Sequence, residues 1–156
     1  SWLYMSAVCY LYGLEIHTAL GVPVGLLNTN WGGTAIQDWC PQQALDDCSH
    51  VAPTPGRLGV ATHLYNAMIH PLMNHTIKGV VWYQGESNGG EGVTYYHKKH
   101  ALVNGWRKAF QNKDLGFYWV QLANFRKVNV IILLYLTVIV SATNITHYIF
   151  SYRQHL

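Results

Sequence analysis

The sequence predicts an α/β fold, a parallel sheet covered by helices, and three observations carry that expectation. Segments of helical period alternate with apolar runs of strand length, in the order α-β-α-β-α-β over residues 6–122. Two of the strand-like runs end abruptly in glycines and polar side chains, and open α/β sheets place their sites at the carboxyl ends of strands. The chain has 156 residues, half of them hydrophobic, which is enough for one domain with a real core.

The elements follow in order. Residues 6–20 read as a helix, because Val8, Leu11, Tyr12, Ile16, Ala19 and Leu20 recur near the 3.6 period; Gly21 is a natural stop and Pro23 follows it. Residues 22–28 are a short buried strand that runs into Asn28-Thr29-Asn30-Trp31-Gly32-Gly33-Thr34-Ala35-Ile36-Gln37-Asp38-Trp39. Paired glycines let a backbone approach a ligand and aim its N–H groups outward, and they also make a plain tight turn. Thr34 is placed to cap what comes next. No phosphate loop is present here, since the glycine spacing fails and no lysine follows in register.

Residues 40–60 hold Pro41, Pro53, Pro55 and the pair Asp46-Asp47, and read as loop with one helical turn at 42–46. Residues 61–73 look helical, with Leu64, Met68, Ile69 and Leu72 on one face and Pro71 near the end. His63 and His70 are read as polar helix residues rather than ligands.

The run at 77–83 has the length and β-branched content of a buried strand, and Gln84-Gly85-Glu86-Ser87-Asn88-Gly89-Gly90 cannot continue it. Residues 93–110 read as an amphipathic helix with Tyr96, Leu102, Val103, Trp106 and Phe110 apolar; His97, Lys98, Lys99, His100, Arg107 and Lys108 form a solvated basic face. Residues 115–122 are a third strand. Gly85-Glu86-Ser87-Asn88-Gly89 also matches the Gly-x-Ser-x-Gly nucleophile elbow, for which Asp114 and His147 stand in the right order, but the glycines that follow make a poor helix start.

Composition excludes several classes. Net charge is +3 and no basic run exceeds two residues, so nucleic acid is not an expected partner. The histidines are scattered and no Cys-x-x-Cys occurs, so neither a metal nor another cofactor is expected. Cys9 reads as a free core thiol; Cys40 and Cys48 flank a polar segment and could close a small loop, and the odd count of three leaves the redox compartment undecided. Asn74-His75-Thr76 and Asn144-Ile145-Thr146 are glycan sequons. The 6 Trp and 11 Tyr serve a core, a sugar-stacking surface or an interface; Trp31, Trp39, Trp82 and Tyr83 are the candidates for stacking on sugar.

From residue 128 the style changes. No Asp, Glu, Lys or Arg occurs between Lys127 and Arg153, and residues 128–140 are nearly all apolar. That core is about 13 residues, short of the roughly 20 that span a bilayer; reaching 150 adds Asn and Thr. A membrane contact is expected only if 128–150 inserts, and translated intron or frame-shifted sequence after Lys127 is the other reading. The expected division is 1–126 as a partial domain and 127–156 as an atypical apolar tail.

Several stretches together resemble the sialate O-acetylesterase family of SGNH-type serine esterases: Ser6-Ala7-Val8-Cys9-Tyr10, Gly21-Val22-Pro23-Val24-Gly25-Leu26-Leu27, Asn30 through Trp39, Leu64-Tyr65-Asn66-Ala67-Met68-Ile69-His70-Pro71-Leu72, and Trp82-Tyr83-Gln84-Gly85-Glu86-Ser87-Asn88. The resemblance covers residues 1–126 and implies a three-layer α/β/α hydrolase, incomplete here, that removes O-acetyl groups from sialic acids or glycans in the lysosome, the secretory path or the cytosol. The family's nucleophilic serine lies in a Gly-Gln-Ser-Asn-type motif upstream of the matched stretch, and its Asp-x-x-His lies downstream, where this chain carries the tail. What carries over is the middle of the site. Gly33 and Gln84 resemble the oxyanion-hole donors, and Asn30, Trp31, Gly32, Gly85, Glu86 and Asn88 resemble the substrate pocket. Asn74 is the expected glycosylation site if the chain enters the secretory path, on its sequon.

Overall fold

The computed structural model describes residues 5–48, 61–122 and, as backbone, 146–151. The Pro-rich stretch at 49–60 and the apolar run at 128–140, with the membrane and intron readings attached to it, lie outside the described residues.

Among the described residues, four parallel strands form one sheet in the order β1-β4-β2-β3: β1 Val24–Asn28, β2 Gly79–Trp82, β3 Gly116–Trp119 and β4 Thr146–Ser151. The α/β class expected from the element order is therefore present, with β1, β2 and β3 each shorter than its apolar run. Thr146–Ser151, part of the atypical tail, supplies the strand between β1 and β2; Leu26 pairs with Tyr148, and Val80 with Ile149. Because all four strands run the same way, the chain leaves β1 and β2 at the same edge of the sheet.

Helix α1, Ala7–Leu20, begins at Ser6, whose Oγ accepts from the Cys9 N–H at 3.3 Å. It stops at Gly21, held at φ +63° while its N–H donates to the His17 carbonyl at 2.8 Å, a left-handed turn that glycine takes without a Cβ penalty. Its inner residues Cys9 and Ile16 pack on Val81, with Val24, Leu26 and Tyr118 around them. Burial pushes the Cys9 thiol up to about 12, as suits a core cysteine.

The other face of β2 builds the larger core. Val80 and Trp82 meet Ile36, Trp39, Ile69, Leu102 and Trp106. Trp82 stands edge-on to Trp39, Trp106 and Trp119 at centroid distances of 6.3, 6.0 and 6.1 Å. Such pairs contribute about 0.5–1.5 kcal/mol each beyond area burial. Trp39 and Trp82 are thus core residues, not the sugar-stacking surface considered for them.

Helix α2, Gln42–Asp46, packs beside α3, Val93–Ala109, at Gly105, where an added Cβ would lie 2.8 Å from Ala44 Cβ. The helix expected at 61–73 is wound irregularly: wide turns over Tyr65–Ile69, then a tight 3-10 turn over His70–Leu72. Pro71 has no N–H to return to residue 67 and its ring crowds that carbonyl, so a regular helix cannot pass through it.

Candidate functional site

The first exit, after β1, is a turn at Gly32-Gly33, with Gly33 at φ +68°. Thr34 closes this turn rather than capping the next one: its hydroxyl donates to the Trp31 carbonyl at 2.8 Å and accepts from the Trp39 indole N–H at 3.0 Å. The following 3-10 turn, Ile36–Trp39, is capped instead by Asp38, whose Oδ2 accepts from the Ala35 N–H at 3.0 Å. Asn30, Gly32 and Gly33 are half-buried and Trp31 is 58% exposed.

The second exit, after β2, winds through a 3-10 turn at Glu86–Asn88. Gly85 stands at φ +157°, where side chains are strained, and an added Cβ would lie 2.8 Å from Leu122 Cδ1 and 3.3 Å from Tyr95 Oη, so both side chains would have to give way. Glu86 and Ser87 are exposed.

The two exits are bonded to one another, and Asn88 is the junction. Its Oδ1 accepts from the Ile36 N–H at 2.9 Å and from Gln84 Nε2 at 2.8 Å. Its Nδ2 donates to Gln37 Oε1 and to Glu91 Oε1, both at 3.0 Å. Gln84 Nε2 also donates to the Thr34 carbonyl at 3.0 Å. The Tyr95 hydroxyl lies 3.0 Å from the Gln84 carbonyl oxygen and 3.2 Å from Oε1. Burial first, then the nearby Glu86 and Glu91 carboxylates, push this phenol well above its ordinary range, so it stays a donor.

Two features of this geometry bear on the residues named from sequence. Asn88 is 3% exposed and its amide is filled with four protein partners, so it holds the loops together and does not reach a ligand. Both Gln84 amide hydrogens already have acceptors, Thr34 and Asn88, so donation to an oxyanion requires exchanging one of them for the substrate.

Sequence reasoning missed the supports of this junction. Lys98, assigned to a solvated basic face, is fully buried, with Nζ 2.9 Å from Glu91 Oε2 and 3.2 Å from Gln37 Oε1. The signal was available: Lys98, Leu102 and Trp106 share one helical stripe with Tyr95. The buried Asp38 lies 3.7 Å from His63 Nδ1, next to Thr62 at φ +70°, a strained setting for a β-branched residue.

The nucleophile-elbow alternative does not assemble. Ser87 follows the carboxyl end of β2, whereas Asp114 precedes β3 at the opposite edge and His147 is the second residue of β4. One Asp-x-x-His spacing does occur, Asp47 to His50; Asp47 Oδ1 accepts from Gln43 Nε2 at 2.8 Å and His50 lies outside the described residues. Cys40 and Cys48 are free thiols rather than a bridged pair, and Cys40 Sγ donates to the Ile36 carbonyl. A groove of about 560 Å³ runs between α2, α3 and the irregular turns, on a different part of the molecule from the exits. Asn74 is exposed in the turn leading to β2.

The family model for carbohydrate esterases described as sialic acid-specific acetylesterases matches residues 10–148. A sialate O-acetylesterase of Homo sapiens is 43% identical over 122 residues, 72% of this chain and 23% of that protein. Those of Rattus norvegicus and Mus musculus are 35% and 33% identical, each aligned to 83% of this chain and 31% of theirs. The chain thus spans 23–31% of the length of these curated relatives. No solved structure matches it.

Proposed function

Because this chain belongs to the sialic acid-specific acetylesterase family of carbohydrate esterases, we propose that it forms the acyl- and sugar-binding part of an enzyme that hydrolyses O-acetyl esters of sialic acids. The observation that carries this reading is the junction itself: two glycine-bearing exits leave the same sheet edge and are locked together through Asn88. In this reading the sheet, with α1 on one face and α3 on the other, is the core of a three-layer α/β/α SGNH-type domain.

Attack of a serine hydroxyl on the acetyl carbonyl moves an electron pair onto the carbonyl oxygen. Fixed donors aimed at that oxygen lower the barrier, by about 10²–10³ in rate for one donor. Gly33 is assigned the backbone donor. Gln84 is assigned the side-chain donor, releasing the Thr34 carbonyl as the oxyanion forms. The attacking serine and its histidine come from the family's own motifs, neither of which stands at these exits. Asn30, Trp31, Gly32, Gly85 and Glu86 line the sugar side, and Glu86, which cannot donate while ionised, accepts from sugar hydroxyls.

The test is to titrate the chain with O-acetylated and unacetylated N-acetylneuraminic acid while monitoring acetate release. Binding that requires the acetyl group, without turnover, is the expected result. Equal affinity for the two ligands contradicts the acyl pocket, and turnover abolished by Ser87→Ala contradicts the division of labour. A second reading, a carbohydrate-contacting module without catalysis, draws on the exposure of Trp31 and predicts that equal affinity.

A lysosomal or secreted location is part of the same proposal, with Asn74 as the glycan acceptor and membrane contact confined to 128–150. A mobility shift on peptide N-glycosidase treatment of secreted material, lost in Asn74→Gln, checks it.

A further inference from the structure

Helix α3 carries two adjacent lysines in different settings. Lys98 is buried, and its ammonium is satisfied by Glu91 and Gln37. Lys99 lies against aromatic rings: its Nζ is 4.0 Å from the centroid of Trp119 and 5.9 Å from that of Tyr95. Neither ion pair among the described residues includes Lys99. The ammonium has three N–H donors, and ring faces attract a cation without accepting in the directed way that a carboxylate does. Half-buried, Lys99 has given up part of its hydration, and that burial draws its pKa below the ordinary lysine range. A lysine kept on the surface for solubility would hold its head in water and not over an indole.

The position of this cation relates it to the proposed site. The Tyr95 ring that flanks Lys99 is the ring whose hydroxyl bonds to Gln84, and Gly85 is packed against that same hydroxyl and Leu122. A single aromatic side chain therefore separates Lys99 from the second exit. Trp119 is the register partner of Trp82, so the ring under the ammonium stands at the carboxyl end of β3, the edge from which both exits leave.

We infer that Lys99, held by Trp119 and Tyr95, binds the carboxylate of an acidic sugar whose acetyl arm lies at the two exits. The inference rests on the esterase reading and adds to it a specificity-determining residue that separates sialic acids from neutral acetylated sugars. Lys99 takes no part in bond making. It anchors the far end of the substrate, and its contribution falls as salt screens the pair.

Isothermal titration of the full chain tests this with two probes, O-acetylated N-acetylneuraminic acid and its carboxyl methyl ester. The acid binds at least about tenfold more tightly than the ester, the loss expected of one charge-assisted hydrogen bond. Lys99→Met, which keeps the apolar stem on Trp119, removes that preference and leaves the affinity for the ester unchanged; Lys99→Arg retains the preference. Equal binding of acid and ester by the unaltered chain overturns the inference, as does a preference that survives in Lys99→Met. The acid-to-ester comparison needs no variant and so decides the matter even if Lys99→Met does not fold. Failure of the esterase reading has a different mark: removing the acetyl group then leaves the affinity of both probes unchanged.

Discussion

After β1 the chain leaves the sheet through half-buried Asn30, Gly32 and Gly33 and the exposed Trp31, whereas after β2 the side chains of Gln84 and Asn88 are committed to protein partners. Both stretches look alike in sequence, an apolar run breaking into glycines and polar residues. Their work differs. The first exit presents surface, with Thr34 keeping the turn closed beneath it. The second supplies, through Gln84 and Asn88, internal struts that hold the first in place, and leaves Glu86 and Ser87 exposed beside them. A polar residue in a motif beside a site is therefore as apt to position a neighbour as to touch a ligand, and hydrogen-bond capacity decides which. Asn88 has none left over.

The largest expected effect tests the strut side of this contrast. Asn88→Ala strands the buried Ile36 N–H and one Gln84 amide hydrogen, and takes one donor each from Gln37 and Glu91, which keep Lys98. At about 1–3 kcal/mol for each unsatisfied buried group, partly relieved by water, the loss is roughly 3 kcal/mol or more in urea denaturation. A loss below about 1 kcal/mol, the net worth of a single hydrogen bond, would show that the junction is dispensable.

Next comes the buried charge under the junction. Lys98→Met leaves Glu91 without its ammonium and costs roughly 2–4 kcal/mol, below the about 3–5 kcal/mol for a fully buried pair because Glu91 is 27% exposed. Adding Glu91→Gln recovers part of that loss, because the uncompensated charge is gone. A double variant no more stable than Lys98→Met alone would place the cost in packing rather than in charge.

Gly33→Ala sharpens the other side. At φ +68° an alanine pays about 1 kcal/mol or somewhat more in backbone strain, measurable as a lower denaturation midpoint. Trp31→Ala should change stability by less than about 0.5 kcal/mol, as for an exposed side chain. It should still weaken sugar binding severalfold if the first exit is the presenting surface. Unchanged affinity would remove Trp31 from the site.

Much of the fold was legible because its signals are local. The period of α1 and the stop at Gly21 gave its bounds almost to the residue, and the apolar runs located β1, β2 and β3. The irregular winding at Tyr65–Ile69 was not legible, since a proline near a helix end predicts a break but not how the preceding turns relax. At the site, the paired glycines at 32–33 were visible as a close-approach position, and Gly85 as a break at the end of β2. The burial of Lys98 was not visible, because a lysine on an amphipathic helix is read as solvated until its carboxylate partner is located in space. The roles of Trp39 and Trp82 failed for the same reason: an aromatic residue next to a site motif has the same composition whether it faces sugar or core.

The smallest effect concerns the thiols. The folded state holds Cys9 protonated up to about 12, above the ordinary cysteine value of about 8.5. The stability this gives is complete below the ordinary value and is lost as pH rises through the folded one. Cys40 is likewise pushed up by burial. At mildly alkaline pH iodoacetamide should modify the half-buried Cys48 first, with Cys9 and Cys40 reacting only on unfolding. Rapid labelling of all three would mean that the two cores open readily.

Backbone amide chemical-shift mapping tests the central claim most directly. On titration with O-acetylated N-acetylneuraminic acid, the N–H signals of Trp31, Gly32 and Gly33 should move together with those of Gln84 and Gly85, and the unacetylated sugar should leave the Gly33 and Gln84 signals in place. Shifts confined to one exit, or identical shifts with both sugars, would contradict a shared acyl pocket.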